Sequence, residues 1–164
     1  MEDAFCLLGH SVGLCQAFEQ EIAAILTMSE IVPGQHPAKS DAVVYYEDTM
    51  ADRMKQTLGT LLKKFQLADT IPNGKVILED ALRARNWLVH DSIRENCELM
   101  LSREGEFKVI SRIDDAQANV GKALQMLEPI KQKLFECLGY SQEQRNKDGM
   151  KFYQEFFDGW RKTE

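Results

Sequence analysis

Within the segment Leu82-Arg-Ala-Arg-Asn-Trp-Leu-Val-His-Asp91, the residues Arg85, Asn86 and His90 have side chains that could do chemistry together. An imidazole, with an unperturbed pKa of about 6.5, exchanges protons at neutral pH. A guanidinium is a permanent forked cation, suited to a phosphate or to the pentacoordinate species formed when a hydroxyl attacks one. Asn86 lies four residues before His90, hence beside it on a helix, where its amide can fix the imidazole tautomer or hold a phosphate oxygen. Arg83, near the flank of His90, adds a second cation for phosphate. The set suffices for metal-independent cleavage of RNA, in which the substrate's own 2′-hydroxyl attacks the adjacent phosphorus. It calls for no metal and no cofactor.

The placement of Arg85 is unusual. On a helical wheel of about 100° per residue, Ala81, Leu82, Leu88, Val89, Ile93 and Met100 all fall within a quarter-turn of Leu78, and Arg85 falls among them. A guanidinium on a buried stripe is costly unless paired or opened onto a site, and it cannot escape by losing its proton. Conflicts of this kind between pattern and residue mark functional positions. The alternative is a structural Arg85 paired with an acid from another helix, such as Asp114 or Asp115. Five positions separate Arg85 from His90, which on an ideal helix makes them diverge by about 140°. Either the helix distorts near Asn86, or the long Arg side chain reaches round, or a second copy across a two-fold axis completes the site. The last is the most economical reading of the sequence.

These residues need helices to carry them, and the apolar spacing supplies helices almost throughout. Phe5, Leu8, Val12, Cys15, Phe18, Ile22, Ile25 and Leu26 step by three and four, which predicts a helix over 4–31 ended by Pro33-Gly34. Gly9 and Gly13 would let a neighbouring helix approach closely. Residues 33–46 read as a loop with a short extended piece at Val43–Tyr46. A second helix is expected at 47–66, with Met50, Met54, Leu58, Leu61 and Phe65 as its stripe. After the turn Ile71-Pro72-Asn73-Gly74 comes a third at 75–102, which carries the Arg and His. A fourth, of about 30 residues, begins after Gly105, and Pro129 should kink or divide it. Ser141-x-x-Gln144 resembles a capping box for a last helix with an aromatic stripe of Tyr153, Phe156, Phe157 and Trp160, which reads as core or dimer contact. The sum is a single all-α domain over 1–164, an up-and-down bundle of four to five helices.

Composition agrees with a soluble globular chain: 44% hydrophobic, 28% charged and only four prolines in 164 residues. The net charge of −6 excludes a surface that is basic throughout, as a generic nucleic-acid glove would be. Five of the 26 acids (Glu2, Asp3, Glu19, Glu21, Glu30) and none of the 20 Lys and Arg residues lie in 1–32, so the acidity is concentrated in the first helix. That helix is expected to face away from an RNA or toward a basic partner. The opening Met1-Glu2-Asp3 lacks a basic leader, and no run approaches the ~18 apolar residues of a membrane span, so a cytoplasmic protein without membrane contact is expected. Cys6, Cys15, Cys97 and Cys137 have neither C-x-x-C nor His at ligand spacing and read as reduced, mostly core thiols. His36, in a Pro-flanked loop, and His10 read as bystanders.

Arg85-Asn86-x-x-x-His90 on the third helix of an all-α bundle resembles the signature of the HEPN superfamily (higher eukaryote and prokaryote nucleotide-binding): Arg, often a polar residue next, then His four to six positions from the Arg. The stretch from Ala81 to Asn96, preceded by Thr57-Leu-Gly-Thr-Leu61, resembles bacterial members of that group. The resemblance covers 57–96. It implies a homodimer whose motif helices face each other and which acts as a metal-independent endoribonuclease on RNA. It also implies a place in a toxin–antitoxin or antiviral system, opposed by a nucleotidyltransferase-type antitoxin protein. Arg85 and His90 match the motif pair, and Asn86 matches the polar position. Many members carry a Tyr two positions after the His; here that position is Ser92. The competing reading is a non-catalytic helical module that binds a protein partner or a nucleotide. Proximity of Arg85 and His90 across a dimer interface favours the enzyme, whereas a monomer with Arg85 salt-bridged inside its own bundle favours the module.

Overall fold

The computed structural model of the chain describes residues 2–31, 39–65 and 71–139. Among them the protein is all-α: helices α1 (Glu2–Ile31), α2 (Lys39–Met54), α3 (Leu58–Lys64), α4 (Gly74–Asn86), α5 (Ser92–Asn96) and α6 (Arg103–Cys137). A π-helical turn, Trp87–Asp91, joins α4 to α5, and a 3-10 turn, Leu99–Leu101, precedes α6. No strand occurs among the described residues.

The apolar stripe of α1 builds the centre of the core, with Phe18, Ile22 and Ile25 fully buried against Leu61, Leu88, Val109, Ile113, Val120 and Leu127. α1 and α6 run parallel: Gln117 donates to Ser11 at 2.8 Å, and further toward the C-terminal end of both helices Lys131 reaches Glu21 at 2.8 Å. Local chemistry sets the helix starts. Thr57 caps α3 by accepting from the Thr60 amide, and Ser102 caps α6 by accepting from the Gly105 amide at 3.1 Å, with Glu104 and Glu106 in its first turn. Asn73, at φ 59°, takes the left-handed conformation in the expected turn before Gly74.

Several expectations are corrected. Residues 39–46 are helix, not loop, and the expected 47–66 helix is two, α2 and α3, parted at Lys55–Thr57 where Thr57 starts a new cap. Pro129 does not divide α6, because it and Gln125 lie on the exposed face, where water can take the carbonyl that Pro leaves unpaired. Gly9 and Gly13 mark no close approach, since a Cβ at either would meet nothing within 4 Å. Gly105 is the packed glycine: its Cβ would stand 2.0 Å from the Leu99 carbonyl oxygen. Gly105→Ala therefore has to push the 3-10 turn off α6, and a loss of about 1–3 kcal/mol in urea unfolding is expected. Outside the described residues lie His36 and the proposed last helix with Tyr153, Phe156, Phe157 and Trp160.

Of the four cysteines, all free, Cys15 alone is buried. Burial pushes its thiol up from 9.0 to about 11, with Arg85 opposing the rise and Glu19 adding to it. The neutral thiol is thus favoured in the folded chain, so Cys15's contribution to stability is intact below pH 9 and declines as the pH rises from 9 toward 11. At pH 8 a disulfide-exchange reagent should titrate Cys6, Cys97 and Cys137 quickly and reach Cys15 only after denaturant is added.

Candidate active site at the π-turn

Arg85 lies in the last turn of α4 with its side chain 19% exposed, between α4 and α1. Its Nε donates to Glu19 Oε1 of α1 at 2.5 Å, and its Nη1 donates to Asn86 Oδ1 at 3.1 Å. The same Nη1 lies 3.0 Å from His90 Nε2. Because guanidinium only donates, Nε2 is the acceptor in this contact, which places the imidazole proton on Nδ1. Nη2 makes no hydrogen bond among the described residues, so two N–H donors remain for an anion.

The expected divergence of about 140° between Arg85 and His90 is removed by the π-turn. Ser92 N–H bonds to Trp87 C=O, five residues back, and this wider turn brings residues five apart onto one side. Of the three ways past the divergence, the chain takes the distortion near Asn86. The pair meets within one chain, and no second copy is needed to bring it together.

The extra residue also resets which side chains face the core. Val89 and Ile93, on the predicted stripe, are 38% and 50% exposed, while Ser92 and Asn96 are buried in their stead. Both polar groups are satisfied: Ser92 Oγ donates to Leu88 C=O at 2.8 Å, Asn96 Nδ2 donates to Ser92 C=O, and Asn96 Oδ1 accepts from Arg112 Nη1 at 2.7 Å. Ser92 is thus inaccessible to solvent.

The structure brings together Arg85, Asn86 and His90. Arg83 does not join them; it pairs with Asp80 and lines an open cleft of about 320 Å³ between α4 and α6, with Trp87, Arg112, Asp115 and Asn119. The acid on Arg85 is neither Asp114 nor Asp115 but Glu19, which the sequence reading missed. A signal was present: Val12, Cys15, Glu19, Ile22 and Leu26 follow the three-and-four spacing, so Glu19 interrupts the α1 stripe as Arg85 interrupts that of α4. Two opposite charges on two apolar stripes are the natural partners of each other. The acidity of α1 is largely spent inside the molecule, since Glu21 pairs with Lys131 and Glu30 with the buried Arg53 as well. It is therefore not a free acidic face.

Among the described residues no group of three or more His, Cys, Asp or Glu is placed to hold a metal ion, and no helix is long and apolar enough to cross a membrane. Comparison with protein-family models, curated proteins and solved structures finds no match for this chain.

Proposed function

We propose that the chain is a HEPN-like, metal-independent endoribonuclease with Arg85, His90 and Asn86 as its site. The observation that supports this most is the 3.0 Å approach of Arg85 Nη1 to His90 Nε2, with Nη2 left to meet a phosphate. In the reaction, Arg85 turns Nη1 from His90 to the phosphate oxygens and neutralises them, and the freed Nε2 of His90 takes the proton of the substrate's 2′-hydroxyl. The 2′-oxygen bonds to phosphorus, the bond to the 5′-oxygen breaks, and that oxygen leaves with a proton supplied by His90 or water. The products are a 2′,3′-cyclic phosphate and a 5′-hydroxyl. Asn86 holds the guanidinium in place from its neighbouring position.

The finer architecture belongs to the same proposal. Five helices alternating up and down, with α5 a continuation of α4, would give a parallel α1 and α6, as found. Exposed Val89 and Ile93 beside exposed His90 suit a homodimer with two motif helices face to face. A cytoplasmic toxin restrained by an antitoxin is the role that fits such an enzyme.

One observation favours the non-catalytic module: Arg85 is salt-bridged to Glu19 inside its own chain. Under that reading the pair is structural, and purified protein leaves RNA intact. Incubation of RNA with the purified chain in EDTA, with analysis of the product ends, separates the two. Cyclic phosphate ends in EDTA support the nuclease. Intact RNA, or 5′-phosphate ends that require a divalent ion, contradict it.

A further inference from the structure

We infer that Arg112 of α6 is a positioning residue for the Arg85–His90 pair, because it selects the π-turn register of residues 87–91 over a plain α-helical one. The inference rests on the reading of that pair as the active site.

Two registers compete for this segment. In an uninterrupted α-helix Val89 and Ile93 would continue the apolar stripe of Leu78, Ala81 and Leu82, and their burial would favour that arrangement. His90 would then turn by about 100° and leave Arg85. The π register instead exposes both apolar side chains and buries Ser92 and Asn96, the latter fully. Such an exchange holds only if the buried polar atoms find partners. Ser92 Oγ and Asn96 Nδ2 find theirs within the segment, at Leu88 C=O and Ser92 C=O. Asn96 Oδ1 is served from outside it, by Arg112 Nη1 at 2.7 Å.

The same guanidinium grips the other end of the segment. Its carbon stands 4.7 Å from the centre of the Trp87 ring, and Nη2 reaches Glu95 Oε2 at 3.3 Å, which also accepts from Trp87 Nε1 at 2.9 Å. Trp87 is the first residue of the π-turn and Asn96 the last of α5. Loss of the extra residue would rotate Asn96 away while Trp87 stayed, so Arg112 can hold both at once only in the π register. It touches neither Arg85 nor His90 and acts on them through the register alone.

The test follows the His90 imidazole nitrogens by NMR in nitrogen-15-labelled full-length protein at pH 8, with assignment by His90→Ala. Arg85→Ala defines the signals of a His90 without its hydrogen bond. Arg112→Met is expected to give those same signals and to lower kcat on RNA by about 10²-fold with KM little changed. Arg112→Lys is expected to fall between. Adding Val89→Gln and Ile93→Gln, which removes the apolar pull toward the α register, is expected to restore the wild-type signals. Wild-type His90 signals in Arg112→Met overturn the inference, as does failure of the added pair to restore them. Should Arg112→Met not fold, Arg112→Lys carries the test with the same outcomes. A protein that cleaves no RNA but whose His90 follows Arg112 contradicts the nuclease reading and leaves this inference standing; an active one whose His90 ignores Arg112 does the reverse.

Discussion

Arg85→Ala is expected to lower RNA cleavage by about 10²–10³-fold, the usual loss when a preorganised donor to a developing anion is removed. The variant takes away Nη2, which the proposed reaction assigns to the phosphate, and the Nη1 donor that contacts His90. Arg85→Lys is expected to recover little, since an ammonium cannot span Glu19, Asn86 and His90 together as the fork does. The structural cost is smaller: Glu19, 24% exposed, loses its partner but keeps access to water, and a destabilisation of about 1–2 kcal/mol is expected. Cleavage rates measured beside urea unfolding curves check both numbers. A loss of stability above about 3 kcal/mol with no cleavage in the wild type would instead identify Arg85 as the structural half of a buried pair.

Leu88→Ala is expected to destabilise the fold by about 2–5 kcal/mol, because Leu88 is 1% exposed and belongs to the central core. It is the one side chain of the π-turn that is fully buried, so the same substitution loosens the segment that carries His90. Cleavage should fall even under conditions where the variant remains folded. Val89→Ala is the companion measurement: in the π register Val89 faces outward, and a change within about 0.5 kcal/mol is expected. A cost for Val89→Ala comparable to that of Leu88→Ala would mean that the segment follows the plain α-helical stripe.

Much of the fold was legible because long apolar stripes survive any local irregularity. Leu8, Cys15, Phe18, Ile22, Ile25 and Leu26 are buried as their spacing requires, and so are Leu58, Leu61, Leu78, Ala81, Ile113 and Leu127. The start of α2 was hidden by Pro33, Pro37 and the β-branched and aromatic run Val43–Tyr46, which locally favours extended chain; tertiary packing of Tyr46 on the core and the bond from Tyr45 to Glu30 outweigh that preference. The gap between α2 and α3 was hidden for the opposite reason, since Met54, Leu58 and Leu61 keep helical spacing across it.

The site was half legible. Arg85 announced itself by standing on an apolar stripe, and Asn86 and His90 by their spacing. Their actual meeting was not readable, because a π-turn adds one residue to a turn without altering composition. Its trace lies further along, where Ser92 and Asn96 occupy inward positions that Val89 and Ile93 would fill in an ideal helix. Arg112 left no trace in the pattern, being one charged residue among many on the outer part of α6. Its role comes from what lies opposite it in space.

The central claim is that Arg85 and His90, brought together by the π-turn, cut RNA without a metal. Its most direct test is RNA cleavage in EDTA by the wild-type chain and by His90→Ala. His90 is exposed and its removal leaves the core untouched, so unfolding curves of the two should coincide. The wild type is expected to cleave, and His90→Ala to lose about 10²–10⁴-fold in rate. Cleavage by His90→Ala at the wild-type rate, or intact RNA with the wild-type chain, would contradict the account.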